Sequence, residues 1–392
     1  MSATTATVSV ETKELLRVLN LAGKCISSKP SMPILGDVLL AYNEGKFLLS
    51  ASNAELWIDV PAEMRLDDGE LVSVCVNYAM LRNAVATLPL DTTLKMVFNE
   101  GRLKVDYGKG KFSVTTDDSA DYPIPSFRAE SESAEKASVC RFKTSDGWLI
   151  NNMRLARTCA AVENIRPTLN AVCVDVFKDK VNVASTDAMV MYYNSRELSA
   201  DSLAVADFEE KAQMIISLAA VDALTACFGS EELSVATDGA HISVSGESGV
   251  KLIARLVEGN YIPYEQIIFS QADSAFVKVA AEDMLGALKR CGVFASEVSH
   301  MAILTADAGK IRVTVDNLDF ATNCNEEVTR LEGSTFDSEI KIGFNLVKLS
   351  SQLGAISART VLVYLSDEKK PIIIKEDNEA SKLVLLTMPM SI

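Results

Sequence analysis

The feature that most constrains the fold of this chain is an internal repeat. A shift of 134 residues aligns Pro33 with Pro167, and a further shift of 130 residues aligns Asp187 with Asn317. The first shift holds without a gap from residue 15 to residue 54. A sequence that matches itself at a nearly fixed spacing is typical of proteins assembled from repeated structural units. The repeat predicts three domains, at residues 1–128, 129–264 and 265–392.

Each copy shows the same order of predicted elements. A short strand of alternating residues comes first, then a helix with apolar residues at i, i+1 and i+4, then strands joined by short turns. The second half of each copy repeats this order, which predicts an α+β fold with two β-α-β-β-β units per copy. The predicted helices are 12–24, 77–88, 145–161, 218–228, 281–292 and 345–356. Their N-caps are expected at Thr12, at Ser145 and, in the third copy, at Ala280 or Ala281.

Equivalent polar residues stand where two strands of each copy should meet. They are Asn53, Asp187 and Asn317, and a turn fits all three because Asx side chains accept hydrogen bonds from their own backbone. The carboxylate pairs Asp67–Asp68 and Asp117–Asp118 are interpreted as solvated turns as well. A catalytic role is not expected to recur in such degenerate form.

The sequence holds no motif for catalysis or for binding a cofactor. GxGxxG, GxxxxGK[ST], GxSxG and HExxH are all absent. The eight cysteines form no CxxC pair and there are only two histidines, which argues against a zinc site and against histidine-based catalysis. We therefore expect no enzyme activity, no cofactor and no metal.

The sequence favours the cytoplasm. No apolar run reaches the roughly 18 residues that a transmembrane helix needs. The N-terminal residues lack the basic and apolar regions of a secretory signal. Scattered cysteines fit a reducing compartment.

Charge is unevenly distributed along the chain. The 38 basic and 53 acidic residues give a net charge of −15, which taken alone argues against a nucleic acid partner. The six predicted helices with their trailing loops nevertheless carry twelve basic and eight acidic residues. One interpretation is that these are ordinary solvated helix faces. The other is that the helices share one side of the molecule and face a polyanion, while acidic sheets face outward.

Four short segments carry a resemblance to a known family. They are Lys29–Gly36 (KPSMPILG), Thr186–Asp187, Glu258–Tyr261 (EGNY) and Met388–Met390 (MPM). In this order, on a threefold repeat, they resemble the bacterial DNA polymerase III beta subunit, the sliding clamp. The resemblance runs over the full length of the chain.

The resemblance implies a ring that encircles duplex DNA. Three clamp domains per chain form a half ring, and two chains close head to tail with helices inside and sheets outside. Such a ring is a non-catalytic processivity factor for DNA replication, held on DNA by topology and by loose, sequence-independent phosphate contacts. Its implied partners are the DNA polymerase III catalytic subunit, the clamp loader and other replication and repair proteins with a clamp-binding motif.

The resemblance also assigns residues to DNA. Lys29 occupies the basic loop position of the family, beside Pro30. The other candidates are basic residues of the helices and their loops. They are Arg17, Lys24, Arg82, Arg154, Arg157, Lys289 and Lys348.

Two protein-binding surfaces are implied. Strand 110–117 is expected to pair with a strand near 299–305 of a second chain. The apolar residues of this dimer interface are Phe112, Val114, Val293 and Phe294. A groove for a short linear peptide is expected between the second and third domains. Its residues are Arg166, Leu169, Thr186, Ala188, Val190, Met191, Ile262, Ile267, Pro371, Leu386, Met388, Pro389 and Met390, with Lys348 also on the rim.

Two segments depart from the family pattern. Ala188–Met191 stands in place of G-H-R-L, and Ile262–Gln266 shifts P-D-Y and lacks an arginine pair that some members have. These departures predict a more apolar, less basic groove. Two other classes of protein stay open: a repeat-built interaction scaffold that never meets DNA, which would behave as a monomer, and an enzyme with a site in a domain cleft, which the absence of a catalytic cluster disfavours.

Overall fold

The structure is a computed structural model that describes residues 5–71, 73–125, 127, 138–269, 275–307, 309–317 and 320–392. Seven α-helices lie in these residues. They are α1 (Thr12–Ala22), α2 (Tyr78–Val85), α3 (Trp148–Ala156), α4 (Leu218–Cys227), α5 (Tyr264–Phe269), α6 (Ala281–Gly292) and α7 (Leu346–Gly354). Short 3₁₀ turns follow or precede some of them, at Gly23–Cys25, Pro33–Gly36, Arg157–Cys159, Pro167–Leu169 and Ala200–Ser202.

The described strands number twenty-six. In the first third they are β1 (Ala6–Glu11), β2 (Asp37–Asn43), β3 (Lys46–Ser52), β4 (Leu56–Ala62), β5 (Arg65–Gly69), β6 (Ser73–Asn77), β7 (Thr93–Asn99), β8 (Arg102–Asp106) and β9 (Lys111–Asp117). In the second third they are β10 (Cys140–Thr144), β11 (Ala171–Val176), β12 (Lys180–Thr186), β13 (Val190–Glu197), β14 (Leu203–Ala206), β15 (Ala212–Ser217), β16 (Leu233–Thr237), β17 (His241–Gly246) and β18 (Lys251–Arg255). In the last third they are β19 (Phe276–Ala280), β20 (Met301–Ala306), β21 (Lys310–Asn317), β22 (Thr322–Thr329), β23 (Ile340–Asn345), β24 (Thr360–Tyr364), β25 (Ile372–Glu376) and β26 (Val384–Thr387).

The predicted repeat of β-α-β-β-β units is confirmed. Each third contains two such units, and the first two thirds each add one short strand, β5 or β14, between their units. The sequence therefore predicts the order of helices and strands, except for β5, β14 and the short helix α5.

Contacts divide the chain into two compact units. The first comprises Met1–Ile150, Asp201–Glu209 and Asp222–Leu256, and the second comprises Asn151–Ala200, Glu210–Val221 and Val257–Ile392. The middle third thus contributes to both units, and its existence as a separate domain stays a prediction.

All strand pairs are antiparallel. The first unit holds one sheet in the order β14-β10-β16-β17-β18-β4-β3-β2-β6-β9-β8-β7-β1-β5. The second unit holds a sheet in the order β15-β11-β12-β13-β26-β25-β24-β19 and a smaller one in the order β22-β21-β20-β23. The pairs β4–β18 and β13–β26 join strands of different repeats.

The helices pack one apolar face against these sheets. In α6 the buried residues include Met284, Leu288 and Cys291, which recur at the spacing of one helix face. Acidic residues in its first turn and basic residues in its last turn complement the helix dipole. This helix packs against α7 and against β21 and β22, as α1 packs against α2 and against β3 and β4.

Two of the predicted N-caps are wrong. Helix α1 begins at Thr12 itself, whose hydroxyl donates to the carbonyl oxygen of Thr92 at 2.9 Å instead of capping the helix. Helix α3 begins at Trp148, whose N–H donates to Asp146, so Ser145 lies outside it. Ala280 is the N-cap of α6, as expected.

One of the two carboxylate pairs differs from the prediction. Asp67 and Asp68 lie within strand β5, not in a turn, and Asp67 accepts hydrogen bonds from Ser9 and Arg65. Asp117 ends β9. In the described residues, no helix is long and apolar enough to cross a membrane, and no group of three metal-ligating side chains is found.

Candidate groove, strand edges and basic surface

The predicted groove residues of the second unit meet where β13 pairs with β26. In this pairing Val190 lies opposite Thr387, and Met191 lies opposite Leu386. Met191 and Leu386 belong to one buried apolar cluster, against which Ile262 packs from the segment before α5. The structure thus brings together residues that flank three of the four segments that carry the resemblance.

The turn between β12 and β13 is a hydrogen-bonded Asx turn, as expected. Asp187 Oδ1 accepts from the N–H groups of Met189 and Val190, both at 2.8 Å. Thr186 Oγ1 donates to the carbonyl oxygen of Val190 at 2.6 Å and accepts from the N–H of Ala188 at 3.0 Å. Ala188 has a φ of 77°, in the left-handed region that favours glycine.

Asn53 forms the same turn in the first repeat, because its Oδ1 accepts from the N–H groups of Glu55 and Leu56. The third equivalent residue, Asn317, precedes residues outside the described set. Its Nδ2 donates to the carbonyl oxygen of Phe294 at 3.4 Å. The turn interpretation is confirmed for two of the three residues.

The C-terminal segment is fixed to the fold by backbone hydrogen bonds. The N–H of Met388 donates to the carbonyl oxygen of Met189 at 2.8 Å. The N–H of Met390 donates to that of Gly343 at 2.7 Å. Met189 and Met388 remain 37 % and 36 % exposed. Two partly exposed methionines are therefore held side by side at this edge of the strand pair.

Gln352 of α7 supports the strand pair from the helix side. This fully buried amide donates through Nε2 to the carbonyl oxygens of Met191 and Leu386, at 3.1 and 3.2 Å. Its Oε1 accepts from the hydroxyl of Thr387 at 2.7 Å. Sequence reasoning missed this residue, because a single glutamine in an amphipathic helix gives no signal of burial.

Lys348 forms an ion pair with Asp187, so its charge is opposed by the turn that leads into β13. Next to it in sequence, Val347 is exposed. Sequence reasoning missed Val347 and Met189 as exposed apolar residues near the predicted groove.

The remaining predicted groove residues differ in exposure. Leu169 and Pro371 are buried, Ile267 is exposed and apolar, and Arg166 is exposed. The loop that leads to Leu169 adds exposed Val162 and Ile165.

The start of α5 and the segment before it are held on the same sheet by a buried polar network. Tyr264 donates through its hydroxyl to Asp175 Oδ2 at 2.7 Å, and Lys211 pairs with the same carboxylate at 2.6 Å. The hydroxyl of Tyr261 accepts from the backbone N–H of Thr186 at 3.1 Å. Burial, with the neighbouring Asp175 carboxylate, raises the pKa of the Tyr264 phenol well above its ordinary value. The hydroxyl therefore stays protonated and donates.

Two of the open strand edges in the described chain belong to β9 and β22, the equivalents of the strands that join repeats in the pairs β4–β18 and β13–β26. Strand β9 pairs with β8 over Lys111–Thr115 but meets β6 only at Thr116 and Asp117. Strand β22 pairs with β21 and, among the described strands, with no other. Both strands can accept a further strand along their free side.

The expected partner strand near 299–305 is wrong. Those residues fall largely in β20, which pairs with β21 on one side and β23 on the other. A strand with both sides occupied cannot receive a strand of another chain. The edge strands of this sheet are β22 and β23, and β22 is the one that follows Asn317.

The predicted interface residues are partly exposed. Val293 and Phe294, at the end of α6, are 78 % and 40 % exposed. Phe112 is half-buried, and Val114 is buried within its own chain. Phe320, just before β22, is a further exposed aromatic residue that sequence reasoning did not select.

The predicted DNA-binding residues fall into two groups. Lys24, Lys29 and Lys289 are exposed, and no acidic residue of the described chain lies within ion-pair distance of them. Arg154 is exposed and donates to Asn151 Oδ1 at 2.7 Å. Among the residues that the structure describes, none of these four exposed cations is paired with a carboxylate.

Others are already engaged. Arg17 pairs with Glu14 at 2.7 Å, and although burial opposes ionisation of Glu14, hydrogen bonds from Arg17 and from the Glu63 backbone hold its pKa below the usual value. Arg82 Nε donates to Asn20 Oδ1 at 3.3 Å. Arg157 is half-buried. With Lys348 paired as well, the exposed lysines are the stronger candidates.

Family comparison places both ends of the chain in one family. Residues 6–126 match the model of the DNA polymerase III beta subunit, N-terminal domain. Residues 266–391 match that of the DNA polymerase III beta subunit, C-terminal domain. Together the two matches cover more than half of the chain.

Curated relatives agree over the whole length. A beta sliding clamp from Pseudomonas putida is 22 % identical over 385 residues, covering 97 % of this chain and 99 % of its own. One from Vibrio cholerae is 22 % identical over 387 residues, with the same shares covered.

Solved structures show the same fold. The DNA polymerase sliding clamp from Pseudomonas aeruginosa, crystallised with a ligand, matches with a TM-score of 0.85 at 20 % identity, over 99 % of this chain and 100 % of that one. The sliding clamp from Bacillus subtilis matches with a TM-score of 0.86 at 16 % identity, over 99 % of both chains. With the repeated units, the terminal segments and both family models in agreement, this chain belongs to the DNA polymerase III beta subunit family, the beta sliding clamps.

Proposed function

We propose that this protein is a DNA sliding clamp, a non-catalytic processivity factor that closes as a head-to-tail homodimer around duplex DNA. The observation that carries the proposal is the pattern of paired and unpaired strand edges. The chain joins its repeats by strand pairing at two places and leaves the equivalent edges of the third junction free.

The two internal junctions use equivalent strands. The strand that follows the Asx turn is β4 in the first repeat and β13 in the second, and each pairs with the last strand of the next repeat, β18 or β26. In the third repeat the strand after Asn317 is β22, and the last strand of the first repeat is β9. Pairing β22 with β9 of a second chain repeats the same contact. Two such contacts, related by a twofold axis, close a six-repeat ring.

The strand register follows from the same equivalence. Equivalent residues in the first strand of each repeat can be followed from one cross-strand partner to the next, up to the last strand. The residues reached there are Phe112, Leu252 and Leu385. Cross-strand pairs can also be counted outward from the Asx turn of each repeat. By this count Cys324 of β22 is equivalent to Ile58 of β4 and to Tyr192 of β13. Since Leu252 lies opposite Ile58 and Leu385 opposite Tyr192, Phe112 lies opposite Cys324 of the second chain.

Exposed apolar residues support this contact. Val293, Phe294 and Phe320 all lie within or next to α6 and β22. Burying such side chains against a second chain removes apolar surface from water, at about 25 cal/mol per Å².

DNA is held by the exposed cations Lys24, Lys29, Arg154 and Lys289. In a chain of net charge −15, a few unpaired cations give weak and salt-sensitive attraction, which lets the ring slide. The closed ring then keeps the protein on the DNA, because the weak contacts alone would not.

The groove at the β13–β26 pair takes a short linear peptide from the polymerase, the loader and other partners. Its apolar residues suit burial of apolar anchors. Exposed methionines Met189 and Met388 adapt to side chains of different shape. The protein works in the cytoplasm, where replication takes place.

Sedimentation combined with DNA retention tests the proposal. We expect a species of twice the 42.4 kDa of one chain, and retention on closed circular DNA, after loading, that is lost when the circle is cut. An interaction scaffold that does not act on DNA predicts neither. A monomer that binds linear and circular DNA equally would overturn the ring.

A further inference from the structure

Two thiols meet at the open edge of the last repeat. Cys291 of α6 and Cys324 of β22 have their sulfur atoms 3.5 Å apart. This is the one thiol–thiol contact among the eight cysteines, all of which lie in the described residues. A disulfide needs an S–S distance of about 2.0 Å, so the two sulfur atoms, already in contact, must approach each other by about 1.5 Å.

The two thiols differ in access to solvent. Cys291 is fully buried, and its sulfur also lies 3.5 Å from the carbonyl oxygen of Val313. Burial, together with the neighbouring Cys324, raises the pKa of the Cys291 thiol to about 12. Cys324 is half-exposed on a strand with a free side. An oxidant reacts with a thiolate and must be able to reach it. A dissolved oxidant therefore reacts first with Cys324, the more exposed of the two.

We propose that Cys291 and Cys324 form an oxidisable dithiol whose reactivity is controlled by closure of the strand edge. The oxidant is a hydroperoxide. The dithiol chemistry is independent of the ring, whereas the control by closure rests on the proposed function.

The chemistry balances in two steps. The Cys324 thiolate attacks one peroxide oxygen, so that an S–O bond forms, the O–O bond breaks, and the leaving oxyanion takes a proton from water. The Cys291 thiol then attacks the sulfur of the resulting sulfenic acid. An S–S bond forms, the S–O bond breaks, and the departing hydroxide leaves as water with the proton of Cys291. The two thiols lose two electrons, and the peroxide gains them.

Closure covers the first thiol. In the derived register Cys324 occupies the position that Ile58 and Tyr192 hold in the internal junctions, where both are buried against the facing strand. Phe112 of the second chain would cover Cys324 in the same way. The oxidant then reaches the Cys324 thiol only when the strand edge is open. The disulfide therefore accumulates only in chains whose edge has opened.

Peptide mapping gives a direct readout. Trypsin releases the two cysteines on separate peptides, residues 291–310 and 313–330, because Arg290, Lys310, Arg312 and Arg330 flank them. Hydrogen peroxide is added in small molar excess to the full chain, the remaining thiols are alkylated, and the linked peptide pair is quantified without reduction. Sedimentation of the same samples gives the oligomeric state.

We expect the linked pair to form at least tenfold faster in a monomeric sample than in the closed dimer. The monomer is obtained with Phe112→Glu or by diluting the wild type, so that the result does not depend on one variant. With Cys291→Ser, dimedone should trap a sulfenic acid on Cys324. With Cys324→Ser, Cys291 should remain a thiol.

Absence of the linked pair from monomeric samples overturns the dithiol. Equal rates in monomer and dimer overturn the control by closure while leaving the ring in place. A wild type that sediments only as a monomer overturns the ring and its control, and a linked pair in that sample still supports the dithiol.

Discussion

Ile58 of β4 lies directly opposite Leu252 of β18, and both side chains are fully buried. The same relationship recurs between Tyr192 and Leu385. Each pair closes a junction between two repeats by extending one sheet across the boundary. In the proposed ring, the equivalent third junction forms between β22 of one chain and β9 of a second chain.

The first prediction tests the register of that third junction. Ser113 and Asn323 are exposed, and they are the equivalents of Leu386 and Met191, which face each other in β13–β26. Ser113→Cys combined with Asn323→Cys should give a covalent dimer under mild oxidation, seen on a non-reducing gel. Ser113→Cys with Asn325→Cys, displaced by two residues along the same face, should crosslink poorly because disulfides tolerate little separation. Efficient crosslinking by the displaced pair alone would contradict the register.

The second prediction concerns DNA. Lys29→Glu should shorten retention of the loaded ring on circular DNA several-fold. It should also reduce the salt dependence of binding by about one unit of log–log slope for each phosphate that Lys29 neutralises. Lys104→Glu is the matched control, because Lys104 is exposed on the face of β8 opposite to the buried Leu103 and Val105. If both variants reduce retention equally, net charge explains the effect and Lys29 has no special position.

The third prediction concerns the C-terminal segment. Removal of residues 388–392 deletes Met388 and Met390, together with their hydrogen bonds to Met189 and Gly343. Binding of a polymerase-derived peptide, measured by fluorescence anisotropy, should fall at least tenfold while the dimer persists. Removal of Ile392 alone, an exposed residue, should leave binding unchanged. Normal affinity after the longer deletion would show that the groove lies elsewhere.

Much of the fold could be predicted from local sequence. Turn chemistry at Asn53 and Asp187 and the apolar spacing of α6 are local properties, and the structure confirms both. The position of β20 between two strands could not be predicted, because pairing joins residues such as Met301 and Asn345 that are distant in sequence. A one-dimensional pattern of alternation does not distinguish a central strand from an edge strand.

In the candidate groove, too, some residues could be predicted from the sequence and others could not. Met388–Met390 could be selected because these residues match a short segment of the family, and backbone hydrogen bonds hold them beside the groove. Gln352 could not be selected, since its role depends on carbonyl groups of two strands that the helix sequence does not reveal. Its position suggests how strongly the strand pair depends on the helix beneath it.

The fourth prediction measures that dependence. Gln352→Leu leaves the Thr387 hydroxyl and two strand carbonyls without their amide partner. Losing partners for buried polar groups should lower the free energy of unfolding by about 2–4 kcal/mol. Urea denaturation measures the change, and Ser351→Ala, at an exposed position of the same helix, should have little effect. A Gln352→Leu variant as stable as the wild type would mean that water replaces the amide.

The last prediction concerns pH and the buried start of β2. Burial, with the nearby Asp117 carboxylate, raises the pKa of Asp37 to about 6, although the amide of Asn77 donates to it at 3.4 Å. Because the folded-state pKa lies above that of the unfolded chain, the folded state binds the proton more tightly. The stabilising contribution of protonation is therefore fully present only below the ordinary carboxyl pKa of 3.8, and it is lost as the pH rises through about 6.

Asp37→Asn should remove this dependence. The neutral amide avoids both burial of charge and repulsion by Asp117, so the variant should be more stable than the wild type at pH 7.5, by about 1–2 kcal/mol. At pH 4.5 the difference should shrink. Urea denaturation at the two pH values measures it, and Asp118→Asn, at an exposed neighbouring position, serves as the control for net charge. The contrary result would be a wild type whose free energy of unfolding exceeds that of Asp37→Asn by more at pH 7.5 than at pH 4.5. That result would show that the ionised form of Asp37 is stabilised in the fold, opposite to the direction that burial beside Asp117 predicts.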